Sequence, residues 1–171
     1  MAKKKALGVK SVNTAVMIVG EGHTEYAFLE YLKALYYERG RNRVVRIYNA
    51  HGHGPQGMLD KVKSILKTAA FDVRVSLLDS DIELKPEEHK VVKSLKLQVI
   101  FSVPAIEATL LQIAGRVAPE QTNDCKALVA RYLPGDPTAE EFYQRHFPRQ
   151  VLDSARARVA VLDQIISVIT G

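Results

Sequence analysis

Ala15-Val16-Met17-Ile18-Val19-Gly20-Glu21-Gly22-His23-Thr24-Glu25 is the stretch that decides how the chain is read. Five apolar residues in a row, three of them β-branched, predict a short strand over 15–19 that is buried on both faces. Gly20-Glu21-Gly22 closes it in a turn. His23 or Thr24 then opens a helix over 26–37, with Phe28, Leu29, Leu32, Leu35 and Tyr36 inward and Gly40 as the stop. A doubly buried strand leading straight into an amphipathic helix is how a parallel α/β unit begins.

The alternation continues outward. Strands are predicted over 44–48, 73–78 and 97–103, and helices over 58–70 and 105–114, with a short helix before the fourth strand. The expected fold is α/β: a Rossmann-like, mostly parallel sheet of about four strands with helices on both faces. Beyond Gly115 the pattern turns helical: 123–132, a turn at Pro134-Gly135-Asp136-Pro137, 139–145, and a closing helix over 148–169. In that last helix Leu152, Ala155, Val159, Leu162, Ile166 and Ile169 form one apolar stripe, which serves packing on the sheet or, as the sharper reading, a dimer or partner contact. The chain divides into a basic tail (1–13), an α/β core (14–114) and a helical C-terminal extension packed on the core (115–171).

Composition sets outer bounds. A chain of 171 residues, 47% hydrophobic and 25% charged, suits one globular domain. No apolar run approaches the ~18 residues of a membrane span, and the N-terminal lysines are followed by no secretory h-region, so a cytoplasmic protein is expected. Cys125 is the single cysteine, which excludes an internal disulfide and a CxxC site and suits a buried helical position. The net charge of +5 arises within the first fifty residues, where Arg39, Arg41, Arg43 and Arg46 cluster. A local basic surface suggests a nucleic-acid backbone; a solvated helix end accounts for it equally well.

Ligand sites of open parallel sheets lie at the carboxyl ends of the strands. Three such ends carry acids here: Glu21 with Glu25, Asp79 with Asp81, and Ser102-Val103-Pro104 leading to Glu107. In extended chain Asp79 and Asp81 point the same way, about 6–7 Å apart. Clustered carboxylates repel unless a cation neutralises them, and an all-oxygen donor set selects Mg²⁺ or Mn²⁺. The plainer reading is that Asp79 and Asp81 cap the next segment and that Glu25 merely sits in a helical first turn.

Ile18-Val19-Gly20-Glu21-Gly22 with Thr24-Glu25, followed by Leu77-Leu78-Asp79-Ser80-Asp81, resembles the Toprim domain, whose motif is a glutamate after the first strand and a DxD after the third. Ser102-Val103-Pro104-Ala105-Ile106-Glu107-Ala108-Thr109-Leu110 resembles the "S-x-P-x-x-E-x-x-L" segment of the RloB-like and overcoming-lysogenization-defect nuclease branch. The resemblance spans roughly residues 14–114. It implies a metal-dependent nuclease in which Glu21 is metal ligand or general base, Asp79 and Asp81 hold Mg²⁺ or Mn²⁺, and Glu25 and Glu107 complete a second metal position. It also implies a separate ATPase partner in defence against phage, and a homo-oligomer is compatible with it. Ala105 and Thr109 depart from the branch's aromatic positions, and Lys85 is the nearest lysine after the DxD. The chain is too short for a topoisomerase or primase.

Gly52-His53-Gly54-Pro55-Gln56-Gly57 offers a rival. It is a GxGxxG after a predicted strand, with Asp79 22 residues beyond Gly57, and so reads as a nucleotide- or dinucleotide-binding loop. Pro55 removes an amide from such a cradle, and the motif leaves Glu21, Glu25 and Asp81 unexplained. Its other reading is a loop bringing Gly54 amides and His53, or His51, to a nucleic-acid phosphate. His51 with His53 is weak as a transition-metal site, and His23 beside Glu21 could orient a phosphate or water. A third reading is a catalytically inert Toprim-fold subunit that binds nucleic acid or a partner protein.

Overall fold

The computed structural model describes residues 13–39 and 42–171. Residues 1–12 of the basic tail, the helix stop at Gly40 and the basic residue Arg41 therefore lie outside the described residues.

Four strands, β1 (Thr14–Gly20), β2 (Arg43–Asn49), β3 (Val73–Asp79) and β4 (Gln98–Ser102), form one sheet in the order β2-β1-β3-β4, and every neighbouring pair is parallel. Three helices connect them: α1 (His23–Tyr36), α2 (Gly54–Leu66) and α3 (Pro86–Ser94). Five follow: α4 (Ile106–Ile113), α5 (Thr122–Tyr132), α6 (Glu140–His146), α7 (Arg149–Ala155) and α8 (Ala160–Thr170). Parallel crossovers are right-handed, so stepping from β1 out to β2 and then back across to β3 places α1 on one face and α2 with α3 on the other.

The side chains of β1 report both faces. Val16 and Ile18 join a core with Phe28, Leu29 and Leu32 of α1, whereas Met17 and Val19 join a second core with Met58, Leu59 and Val62 of α2. All four β1 residues are fully buried, each worth roughly 1.5–3 kcal/mol of apolar burial, which is why this run of five apolar residues is read correctly as a central strand. Residues of α4 through α8 belong to the first core, so the C-terminal helices share the layer that α1 begins. Long-range hydrogen bonds fasten that layer: Tyr31 Oη donates to the Phe147 carbonyl (3.0 Å), Tyr36 Oη to Asp153 (2.6 Å), and Tyr143 Oη lies on the Pro137 (2.7 Å) and Thr24 (3.1 Å) carbonyls.

Two elements depart from the sequence expectation. Helix α2 begins at Gly54, four residues before the apolar periodicity does, because Pro55 fits a helical first turn where its missing N–H is not needed. The expected helix over 148–169 is two helices with a break at residues 156–159. At the break Arg158 donates to the Ser154 and Ile113 carbonyls (2.9 and 2.8 Å), tying the end of α7 to the end of α4. The six stripe residues are all buried, so the periodicity marks the inward face although the helix is not continuous.

Arg43 is the residue whose role the fold changes most. Its guanidinium donates twice to the Val168 carbonyl, at 3.1 and 2.8 Å, capping the C-terminal turn of α8. A charged donor on otherwise unmatched helix carbonyls contributes on the order of 1.5–3 kcal/mol. Arg43→Ala is therefore expected to lower unfolding free energy by about 1–2 kcal/mol in urea titration, while Arg46→Ala, exposed on β2, stays within about 0.5 kcal/mol of the parent.

Candidate functional site

The chain reverses its direction of travel across the sheet between β1 and β3, and the crevice at their carboxyl ends is where ligands bind in such sheets. Glu21 sits there. Its backbone N–H donates to the Leu77 carbonyl (3.2 Å), and its own carbonyl accepts from Gly52 N–H (2.7 Å), so the residue bridges β3 on one side and the β2–α2 loop on the other. The flanking glycines serve close approach, since neither has a positive φ. A Cβ on Gly20 would stand 2.9 Å from the Tyr26 nitrogen, and one on Gly22 would stand 3.0 Å from Glu25 Oε2.

Four of the five acids have an anchor of their own. One oxygen of Glu21 accepts from Asp79 N–H (3.2 Å). Asp79 Oδ1 accepts from the first amide of α4, Ile106 N–H (2.8 Å). Glu25 is buried in the first turn of α1 and also caps that helix by accepting from Gly22 N–H (3.0 Å). Asp81 is exposed and accepts from Thr122 Oγ1 (2.9 Å), at the start of α5. Glu107 is buried on α4, and its Oε2 finds no hydrogen-bond partner. The two acidic loops are clamped together, because the Pro104 carbonyl accepts from both Ser80 N–H (2.9 Å) and Asp81 N–H (3.2 Å).

Electrostatics ties most of these acids into one group. Asp79 is pushed up to about 8 by burial and then by the charges of Glu25, Glu107 and Glu21, against the lowering effect of the Ile106 amide. Burial also raises Glu25, reinforced by Glu21 and Glu107, and raises Glu21, reinforced by Asp81. The expected side-by-side pairing of Asp79 and Asp81 does not hold. The strand ends at Asp79 and the chain turns at Ser80, so extended geometry no longer applies: Asp79 faces α4 and Asp81 faces α5. The acids are neighbours in charge without converging, and no three Asp, Glu, His or Cys side chains among the described residues are arranged to hold a metal ion.

The basic residues fall elsewhere. Register pairs Arg43 with Thr14 and Asn49 with Gly20, which places Arg43 at the amino end of the sheet, about 20 Å from Glu21 at 3.3 Å per residue. Arg39 precedes β2 and is exposed, Arg46 lies midway along it, and Arg43 is engaged by α8. These arginines and the acids thus occupy different parts of the sheet, because residues close in number spread along a strand.

Histidines do reach the acidic rim. His23 and His51 lie with ring centroids 5.7 Å apart, and His53 precedes α2, its Cβ packed against the space that a side chain on Gly57 would need. Gly52, Gly54 and His51 all have positive φ, so this loop is tightly coiled. The dinucleotide reading requires the glycine-loop strand to lie beside the strand bearing the acid. Here β1 separates β2 from β3. Thr122 and Tyr143 are the site-supporting residues that the sequence conceals, since their partners are 41 and 119 residues away and leave no local signal.

The chain matches no protein-family model, no curated protein and no solved structure. Among the described residues, no helix is long and apolar enough to cross a membrane.

Because the native carboxyl of Asp79 holds its proton to about 8 while an unfolded aspartate releases it near 3.8, the folded state binds the extra proton between those values, and stability falls as pH rises through that window. Asp79→Asn keeps the acceptor for Ile106 and removes the charge. In chelator-treated protein it is expected to be stabilised by about 1–3 kcal/mol at pH 9, with the gain vanishing toward pH 4. Urea denaturation at the two pH values measures it.

Proposed function

We propose that this chain is a Mg²⁺- or Mn²⁺-dependent nuclease of the Toprim type, hydrolysing phosphodiester bonds at the β1/β3 crevice. The observation that carries the reading is the gathering of Glu21, Glu25, Asp79 and Glu107 at one end of the sheet, with Glu107 Oε2 buried and unpartnered. Burying like charges is costly unless a proton or a cation compensates them, and the donor set is oxygen alone. Glu21, Asp79 and Glu107 would hold the ion, with Asp81 and Glu25 completing its surroundings. Each carboxylate offers about four lone-pair positions, so the amide bonds to Glu21 and Asp79 leave acceptor capacity, although side-chain rotation is required for convergence. A bound ion of this kind lowers the pKa of an attacking water and neutralises the leaving oxygen.

The protein's own groups have separable tasks. Glu21, with one oxygen on the Asp79 amide, has its second oxygen available to accept a proton from water. Thr122 orients Asp81, and the Pro104 carbonyl fixes the loop between Asp79 and Asp81. The exposed His23, His51 and His53 at the rim supply donors for a phosphate. The kinship implied by the motifs adds an ATPase partner and a role in anti-phage defence to the proposal.

A second reading, a Toprim-fold subunit that binds without turnover, is favoured by one observation: four of the five acids are anchored to amides or a hydroxyl rather than convergent. The dinucleotide reading loses its support to the strand order. Cleavage of labelled DNA and RNA with Mg²⁺ or Mn²⁺ separates the first two. The nuclease predicts metal-dependent products, with Asp79→Ala and Glu21→Gln each reducing the rate at least ~100-fold at unchanged circular dichroism. The inert subunit predicts no products and an affinity that falls steeply with salt.

A further inference from the structure

The sheet has two edges, and they are built differently. The edge formed by β2 carries Arg43 and Arg46 in its seven residues, and charged side chains are a usual means of protecting an edge from further pairing. The edge formed by β4 reads Gln98-Val99-Ile100-Phe101-Ser102, without charge, proline or glycine. Among the described residues no segment pairs with its outer side. Apolar groups are exposed beside it: Phe101 is 36% exposed, Ile82 51% and Val103 64%. Phe101 and Ile82 also line a cleft of about 280 Å³ with Leu84 and His89.

We propose that β4 is a homodimer interface, in which a second copy of this chain adds its own β4 antiparallel about a two-fold axis at Ile100. Two independent features select an identical strand in that orientation. The first is side-chain pairing. With Ile100 opposite itself, each Phe101 faces the second copy's Val99, Gln98 faces Ser102, and Val103 comes beside the second copy's Leu97. Aromatic and β-branched cross-strand pairs of this kind stabilise a sheet, and a two-fold contact makes each of them twice. The second is charge. Residues 81–87, at the carboxyl end of the edge, hold the exposed Asp81, Glu83 and Glu87 against Lys85 alone. Residues 89–98, toward the amino end, hold Lys90, Lys93 and Lys96 and no acid. Antiparallel addition sets the basic end of one copy against the acidic end of the other, whereas parallel addition sets like against like. The product is a continuous eight-stranded sheet in which the exposed apolar groups are covered.

Sedimentation equilibrium of the full chain between about 1 and 100 µM tests this, a range suited to a modest interface. A dimer is expected, and it weakens as salt is raised. Phe101→Lys places a charge on the edge and is expected to give a monomer with parental circular dichroism; Val44→Lys on β2 is expected to leave the dimer intact. A register test does not depend on that variant folding. Opposed antiparallel residues have Cα atoms about 4.5–5.5 Å apart, within disulfide reach. Val99→Cys and Phe101→Cys proteins should therefore cross-link on oxidation when mixed and not when alone. A monomeric parent at every concentration, a dimer that survives Phe101→Lys, or a dimer without the mixed disulfide would each overturn the proposal.

Discussion

The pairing of β1 with β3 is the constraint on which the rest depends. Five register pairs, from Val16 with Val73 to Gly20 with Leu77, bring the ends of these strands level. β2 lies outside β1 and β4 outside β3, so the connections run in opposite directions and α1 and α2 part to opposite faces. The crevice between them has Glu21 on one wall and Asp79 on the other, joined by a single hydrogen bond from the Asp79 amide to the Glu21 carboxylate. The packing of the cores therefore fixes the separation of the two acids, with no reliance on flexible loops.

Electrostatic cost accumulates in that crevice. Neutral hydrogen-bond donors reach four of the five acids, but no arginine or lysine hydrogen-bonds to them among the described residues; Arg43 lies at the opposite end of the sheet and Arg46 midway along β2. Backbone amides at Gly22, Asp79 and Ile106 lower the cost without cancelling it, which is why Asp79 remains well above the usual carboxylate range. A fold that buries like charges in this way keeps an affinity for whatever neutralises them. The C-terminal helices maintain the arrangement: Thr122 holds Asp81, Tyr143 contacts the backbone at Thr24, and Arg158 fixes the end of α4. The extension is thus structurally joined to the site as well as to the core.

Much of this was legible in the residues. The run at 15–19, the i, i+3, i+4 spacing of Phe28, Leu29 and Leu32, and the stripe from Leu152 to Ile169 are local patterns, and local periodicity reports which side of an element faces the core. The three acidic strand ends were legible too, because a strand end is a local feature. Other features were not. The break before α8 comes where Arg158 meets a carbonyl 45 residues away. Arg43 leaves the apparent arginine cluster by meeting α8, 125 residues on. The DxD spacing misled because its geometry assumed extended chain, whereas the Pro104 carbonyl draws Ser80 and Asp81 into a turn.

By itself, then, the sequence determined the kind of layer each segment joins and the chemical types gathered at the strand ends, since hydrophobic period and side-chain identity are properties of neighbours in the chain. Only the tertiary structure decided strand order, which acid contacts which amide, and which carboxylate oxygen is left without a partner. Those outcomes rest on register between strands and helices many residues apart, where one set of simultaneous burials and hydrogen bonds prevails over alternatives that no short stretch of sequence distinguishes.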